Sequence, residues 1–466
     1  MLYFEIESAT KTLCKELNTG KGYTGFFYFD DKTISAEICS YDESFDLKPE
    51  KSIFLHTEKN KVVSLHSTIV TSASSMGRQS EGEMATYKQH IISNMAVIGR
   101  DRWEATDRLK RVIFSIKRSR ELLKHKEKFA RLANKKIGDE FEPELFSETA
   151  NGLTIRAGYG ASFSFEYNAP TDISPYLEIE FEAGVTLFEY LEYVDCLVQF
   201  FSLSLGVHMN PSGIRICRLS RDEMLAALDA NTDPGDYSVE YVWPEVPAED
   251  SDLWAGGSLF TAWDDGELVA LRQCIVVWMK RRANWKKAND QMMDSLASRG
   301  GISADRLLAA CKWFEEIPLT RTQAAIADQH IQIIAETAVQ KASQLGYAKI
   351  KDRIIGALKR IKTETNEEKF SRLLNKVKEK FGPTIVDDAI TMHLKRAIEF
   401  RGKSAHGHFS PEDEAEFRVF AKSIYALEAL CFLLTACDLP IHAAAPERAQ
   451  SNPLLKHYRL AWKSTI

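Results

Sequence analysis

At 466 residues, 44% of them hydrophobic, the chain is long enough for two or three ordinary domains and apolar enough to fill their cores. Its 60 Lys and Arg against 66 Asp and Glu leave a net charge of −6, which argues against a protein that coats nucleic acid or an anionic membrane over its whole surface, since such binders carry a positive field. Any nucleic-acid contact is therefore expected to be local.

The opening Met1-Leu2-Tyr3-Phe4-Glu5-Ile6-Glu7 has neither the basic start nor the unbroken apolar run of a signal peptide. The longest apolar run, residues 424–437, is interrupted by Glu428 and falls short of the ~20 residues of a membrane span. A cytoplasmic protein without membrane contact is expected. The eight cysteines form no CxxC pair and sit mostly in apolar stretches, a pattern of buried free thiols in a reducing compartment rather than of disulfides or a metal site.

In chain order, residues 20–70 read as β-hairpins: Phe26–Phe29 and Ile34–Ile38 flank Asp30–Thr33, and Ser52–Leu55 and Val62–Leu65 flank Glu58–Lys61. Trp103–Lys136 carries leucines and phenylalanines among many basic residues and is expected to be an amphipathic helix whose basic face is solvated, with an RNA-guiding stripe as the sharper alternative. Strand signals return with the alternation of Phe163, Phe165 and Tyr167 and of Leu177, Ile179 and Phe181; the intervening Glu178, Glu180 and Glu182 should meet solvent. The Gly-, Pro- and acid-rich stretch 231–257 reads as a loop.

A long helix is expected over Glu267–Ser298, broken by Gly300-Gly301 and restarted behind Ser303 as N-cap. Helical spacing then recurs over Leu307–Glu316, Gln323–Leu345, Ile350–Ile361, Glu368–Phe381 and Ile385–Arg401. A final helix should open at Ser410-Pro411-Glu412-Asp413 and bury Phe417, Phe420, Ile424, Leu427, Leu430 and Leu434. The fold class is thus α+β: a β-rich N-terminal region over residues 1–300, with helices near 103–136 and 267–298, followed by an all-α bundle over residues 301–466.

One segment concentrates cationic and proton-transferring chemistry, Arg401-Gly402-Lys403-Ser404-Ala405-His406-Gly407-His408, expected as a loop between the last two helices. Arg401-x4-His406 followed by glycine, inside an all-helical domain, resembles the R-x4-6-H signature of HEPN ribonucleases, and a β-rich part followed by such a domain looks like the ApeA-type anti-phage abortive-infection proteins. The resemblance implies a metal-independent endoribonuclease needing no cofactor, with RNA, and tRNA in particular, as substrate. It further implies a homodimer through the helical domain and an N-terminal part that senses a phage-derived trigger or restrains the nuclease. Where family members often place a polar residue after the arginine, this chain has Gly402, so Lys403 or Ser404 would substitute.

The chemistry fits those residue types. A histidine with an ordinary pKa near 6.5 takes or gives a proton at neutral pH, and an always-charged arginine fork stabilises the extra negative charge of a phosphorane-like transition state. Arg401 and His406 are therefore the catalytic candidates, and Lys403, Ser404 and His408 the substrate contacts; Arg401-x6-His408 is the competing spacing. Arg120-x4-His125 satisfies the same pattern, but in a continuous helix positions five apart diverge by roughly 140°, whereas glycines 402 and 407 would let a loop turn both side chains of the 401/406 pair to one point. Residues 341–403 carry 16 Lys or Arg against 8 Asp or Glu, a local basic balance suited to RNA. Two other readings remain: a non-catalytic HEPN-like module binding a nucleotide, RNA or a protein, and a metal hydrolase on His393, His406 and His408, which lacks a carboxylate at ligand spacing.

Overall fold

The computed structural model describes residues 8–30, 32–41, 52–76, 86–116, 119–140, 142–164, 166, 168–243, 257–405 and 411–463. They form two compact units. One is drawn from Met1–Val198, Met209–Val246 and Ala262–Leu268, the other from Gln199–His208, Pro247–Thr261 and Val269–Ile466.

The first unit is built on antiparallel strands, β1 (Thr12–Glu16), β2 (Thr24–Phe29), β3 (Ile34–Tyr41), β4 (Ile53–Thr57), β5 (Val62–Met76), β6 (Thr86–Gly99), β7 (Arg108–Ile116), β8 (Glu144–Ala150), β9 (Leu153–Ser164), β10 (Ala169–Thr186), β11 (Pro211–Cys217) and β12 (Asp236–Tyr241). Their order is β3-β2-β1-β4-β5-β6-β12-β11-β7-β10-β9-β8, and β3 also pairs with β6. That extra pairing closes the first six strands into a barrel. The first half of β6 pairs with β3, from Ser93↔Ile34 to Thr86↔Tyr41, and its second half passes to β12, from Ile98↔Ser238 to Met95↔Tyr241. One long strand therefore belongs to both the barrel and the open sheet.

Alternation places the barrel core. On β1 the burial runs buried, exposed, buried, and Phe27, Phe29, Ile34, Ile38, Leu55 and Leu65 meet inside as period-2 patterning requires. The hairpins expected around 30–33 and 58–61 are present. In the second, Asn60 takes φ 57°, a left-handed conformation that Asn tolerates well.

Three expectations are corrected here. Trp103–Lys136 is not one helix: Arg108–Ile116 is β7, and only Lys126–Ala133 is helical (α1). The basic residues hid a strand whose Val112, Phe114 and Ile116 alternate inward, and Arg111 is itself buried. The loop expected over 231–257 contains β12, and its residues 244–256, like Phe165 and Tyr167, lie outside the described residues. Nor does the acidic face of β10 meet solvent uniformly. Glu178 is buried and held by Arg156 at 2.7 Å, with Arg111 at 4.0 Å, because a buried carboxylate requires a cationic partner.

Further helices of the chain are α2 (Leu187–Leu205), α3 (Arg221–Asp229), α4 (Asp265–Ala297), α5 (Ala304–Glu316), α6 (Asp328–Gln344), α7 (Lys351–Ile361), α8 (Asn366–Phe381), α9 (Ile390–Ala405), α10 (Glu414–Ala436), α11 (Ala445–Ala449) and α12 (Pro453–Lys463). In the second unit α10 packs against α5, α8, α9 and α12, so a helix long and apolar enough to cross a membrane is 78% buried over its most apolar window and serves as the core of the bundle. Ser303 caps α5 as expected, accepting from the Arg306 N–H. The cap of α10 is Asp413, which accepts from the Glu416 N–H at 2.8 Å; Ser410, expected to open this helix, lies outside the described residues. Of the expected stripe on α10, Phe417 is 43% exposed while Phe420, Ile424, Leu427, Leu430 and Leu434 are buried.

Within this bundle Glu428 of α10 is fully buried and receives a bidentate fork from Arg306, at 2.7 and 2.8 Å. Arg299 lies 4.0 Å away and bonds the His457 Nδ1 at 3.0 Å. Burial and the neighbouring Arg299 hold the His457 imidazole down to about 4, so it stays neutral and accepts from Arg299.

Candidate functional site

α9 runs through Ala405, so Arg401 to Ala405 form its last turn, where a loop was expected. The helix presents Ile390, His393, Leu394, Ala397, Phe400 and Ser404 to the core at spacings of three and four, an amphipathic stripe. Arg401 follows Phe400 and lies at the border of that stripe. Its backbone is helical through Gly402, where an added Cβ would meet nothing within 4 Å, so neither a bend nor a close approach explains that glycine.

Arg401 reaches the C-terminal end of α5. Its Nη1 lies 2.6 Å from Glu315 Oε1 and its Nη2 donates to Oε2 at 3.0 Å, a two-pronged pair in which the side chains are 43% and 46% exposed. This is fork-to-carboxylate geometry, which a phosphate reproduces. One turn before Glu315 on the same face, burial pushes the Cys311 thiol up to about 12, with Arg401 pulling down and Glu315 pushing up; Cys311 is a packed thiol and no nucleophile at neutral pH. On α8, Lys369 lies over the Phe314 ring at 5.4 Å. Burial is the main cause that lowers its ammonium pKa, with Arg372 adding to it. Glu315 was not anticipated from the sequence; its place at an exposed helix end, four residues after a core cysteine, is the only signal that marks it.

Lys403 and Ser404 lie on the same helix as Arg401. Lys403 sits two residues on, about 200° around the helix from Arg401. It is exposed, 5.7 Å over the Phe400 ring and 3.9 Å from Glu416 of α10. Ser404 is 9% exposed and lies on the core stripe of α9. His406 and His408, with Gly407, lie outside the described residues. His393 is buried, its imidazole pKa lowered chiefly by burial and then by Lys422, and among the described residues no three His, Cys, Asp or Glu side chains gather into a metal-binding group.

The second R-x4-H pair resolves differently. His125 is buried and is the N-cap of α1, its Nδ1 accepting from the Lys128 N–H at 3.4 Å while Nε2 faces Asp265 Oδ1 at 3.3 Å. Arg120 is half exposed and lies 3.7 Å from Asp172. His125 is a capping group; the two side chains fail to converge through a turn and a cap, not through a continuous helix.

A family model described as ApeA N-terminal domain 1 matches residues 18–253, the stretch that holds every strand of the barrel and the open sheet except β1. Neither the curated proteins nor the solved structures compared with the chain give a match. The matched stretch is just over half of the 466 residues, and its strand-built architecture is followed by the helical unit that carries Arg401; the chain belongs to the ApeA family of anti-phage defence proteins.

Proposed function

We propose that this ApeA-family chain is a metal-independent endoribonuclease of the HEPN type that cuts RNA, with tRNA as the substrate class, during abortive infection in the cytoplasm. The observation that carries the reading is Arg401: a permanently charged fork at the exposed end of a core helix, held by an exposed carboxylate that a phosphate group can replace, five residues before a histidine.

In the reaction, His406 takes the proton of the RNA 2′-hydroxyl as the 2′-oxygen attacks the adjacent phosphorus. Arg401 turns from Glu315 to the scissile phosphate and stabilises its added negative charge. The P–O5′ bond breaks, the 5′-oxygen is protonated, and the products are a 2′,3′-cyclic phosphate and a 5′-hydroxyl. DNA, lacking the nucleophile, is spared. Lys403 and His408 contact flanking phosphates. A homodimer through the helical domain brings two such motifs together, and the β-rich unit restrains them until a phage-derived trigger is bound.

The test is product chemistry. Purified chain incubated with tRNA in EDTA should give fragments with 2′,3′-cyclic ends. Fragments with 3′-hydroxyl ends, or activity that chelator abolishes, would overturn the mechanism. RNA bound but never cut would move the chain to the non-catalytic HEPN-like modules.

A further inference from the structure

α6 and α7 form an antiparallel hairpin of unusual exposure. Its base is closed by the bridge Ala324↔Thr363, by the Ala325 N–H donating to the Lys362 carbonyl at 2.8 Å, and by the Lys362–Asp328 ion pair. Of the 17 residues of α6 only Ile331 is buried; Ala335, Ala338, Val339 and Ala342 are half-buried, as are Ile354, Ile355 and Leu358 of α7. The two helices thus pack part of their apolar stripes on each other, while Ile333, Ile334, Leu345 and Ile361 stay exposed.

The turn between them is a defined structure. Gly346 takes φ +82°, the Tyr347 N–H donates to the Ala342 carbonyl at 2.8 Å and the Gly346 N–H to the Ser343 carbonyl at 3.0 Å. This is the paired 6→1 and 5→2 closure of a helix end, which needs the left-handed glycine. It presents Tyr347 with 62% of its surface exposed.

Charge surrounds that ring. Residues 341–362 hold seven Lys or Arg against Asp352 alone, in a chain whose net charge is −6. Lys341, Lys349, Lys351 and Arg353 are exposed, and each lies without a carboxylate partner among the described residues. Exposed cations flanking an exposed aromatic ring on a fixed turn match an unpaired base and its phosphates: the ring stacks on the base and the cations displace counterions from the backbone. We propose that the tip of the α6–α7 hairpin is a second RNA-binding site, separate from Arg401, which grips a loop or single-stranded segment of the substrate; the inference rests on the reading that RNA is the substrate. Two other occupants are outcomes of the test. A membrane would take up the exposed Ile333, Ile334 and Leu345 along with the cations, and two copies of so basic a tip would repel each other.

The test uses the full chain and a fluorescein-labelled stem-loop RNA with 2′-O-methyl sugars throughout, which cannot be cleaved, so binding is read apart from catalysis. Tyr347→Ala should weaken anisotropy-measured binding of the stem-loop by about 5- to 100-fold, the range of a lost base–aromatic stack, and leave a blunt duplex of the same stem unaffected. Lys349→Gln with Lys351→Gln should weaken both probes and flatten the salt dependence by about two counterions' worth. Arg401→Ala should retain tip binding. Unchanged binding in the Tyr347 and lysine variants, with helix content retained, overturns the tip site and leaves the nuclease reading standing. Loss of binding to phosphatidylserine vesicles without loss on RNA, or a change in sedimenting mass alone, would also overturn it. Intact tip binding in a chain that cuts no RNA would instead sink the nuclease reading and keep the tip.

Discussion

Arg401 and Glu315 pair at the surface with both side chains more than two-fifths exposed, and such a pair is worth about 0.2–1 kcal/mol. It positions the guanidinium without locking it, so phosphate can take the carboxylate's place. Glu315→Gln should therefore leave the melting temperature within a degree or two of wild type and tighten RNA binding a few-fold, as read by anisotropy; weaker binding would mean that Glu315 positions Arg401 for substrate instead of competing with it. His125 makes the opposite case. His125→Ala removes the cap of α1 and should cost about 1 kcal/mol in chemical denaturation while leaving RNA cleavage unaltered. The sequence set the 120/125 pair aside on a continuous helix, which residues 119–133 do not form. That His125 caps a helix was not legible, because histidine is outside the usual set of cap residues.

Among the elements, the helices between residues 303 and 437 and the hairpins before residue 70 were legible because their apolar spacing is clean, whereas α11 and α12 were not anticipated. β7 was not. Its Arg111 and Lys110 interrupt the alternation, and the partners that accommodate them, Glu178 on β10 and Glu223 on α3, come from distant sequence. The Asn151-Gly152 turn joining β8 and β9, with both residues at positive φ, carried a strong hairpin signal that was available in the sequence and passed over. Glu428 shows the same limit inside the bundle. In sequence it only interrupts an apolar run, and its role depends on Arg306, 122 residues away. Glu428→Ala strands that arginine in the core and should destabilise the helical unit by about 3–5 kcal/mol in denaturant titration; a loss under 1 kcal/mol would show that water reaches the site.

At the scale of the whole molecule, buried histidines contribute to its response to acid, His66 and His457 among them. Burial holds His66 of the β-rich unit, and burial with Arg299 holds His457 of the helical unit, at about 4 against an ordinary 6.5. Both are neutral in the folded chain, so below 6.5 the unfolded chain binds protons that the folded chain refuses. Their contribution to stability is complete above 6.5 and is lost as pH falls toward 4. Melting temperature should drop between pH 7 and pH 5.5, and less so in the His66→Gln, His457→Gln double variant; an equal drop in both proteins would assign the acid sensitivity elsewhere. The two-part layout was legible from the change of apolar period along the chain. Barrel closure through β3 and β6 was not, because a pairing between strands so far apart leaves no local pattern.

The central claim is that Arg401 and His406 act together on RNA, and the most direct measurement is cleavage of tRNA by wild type, Arg401→Ala, His406→Ala and His125→Ala, each shown to be folded by circular dichroism. The account predicts that 2′,3′-cyclic-ended fragments fall at least ~100-fold in the 401 and 406 variants and persist in the 125 variant. Equal cleavage by all four folded proteins would contradict it.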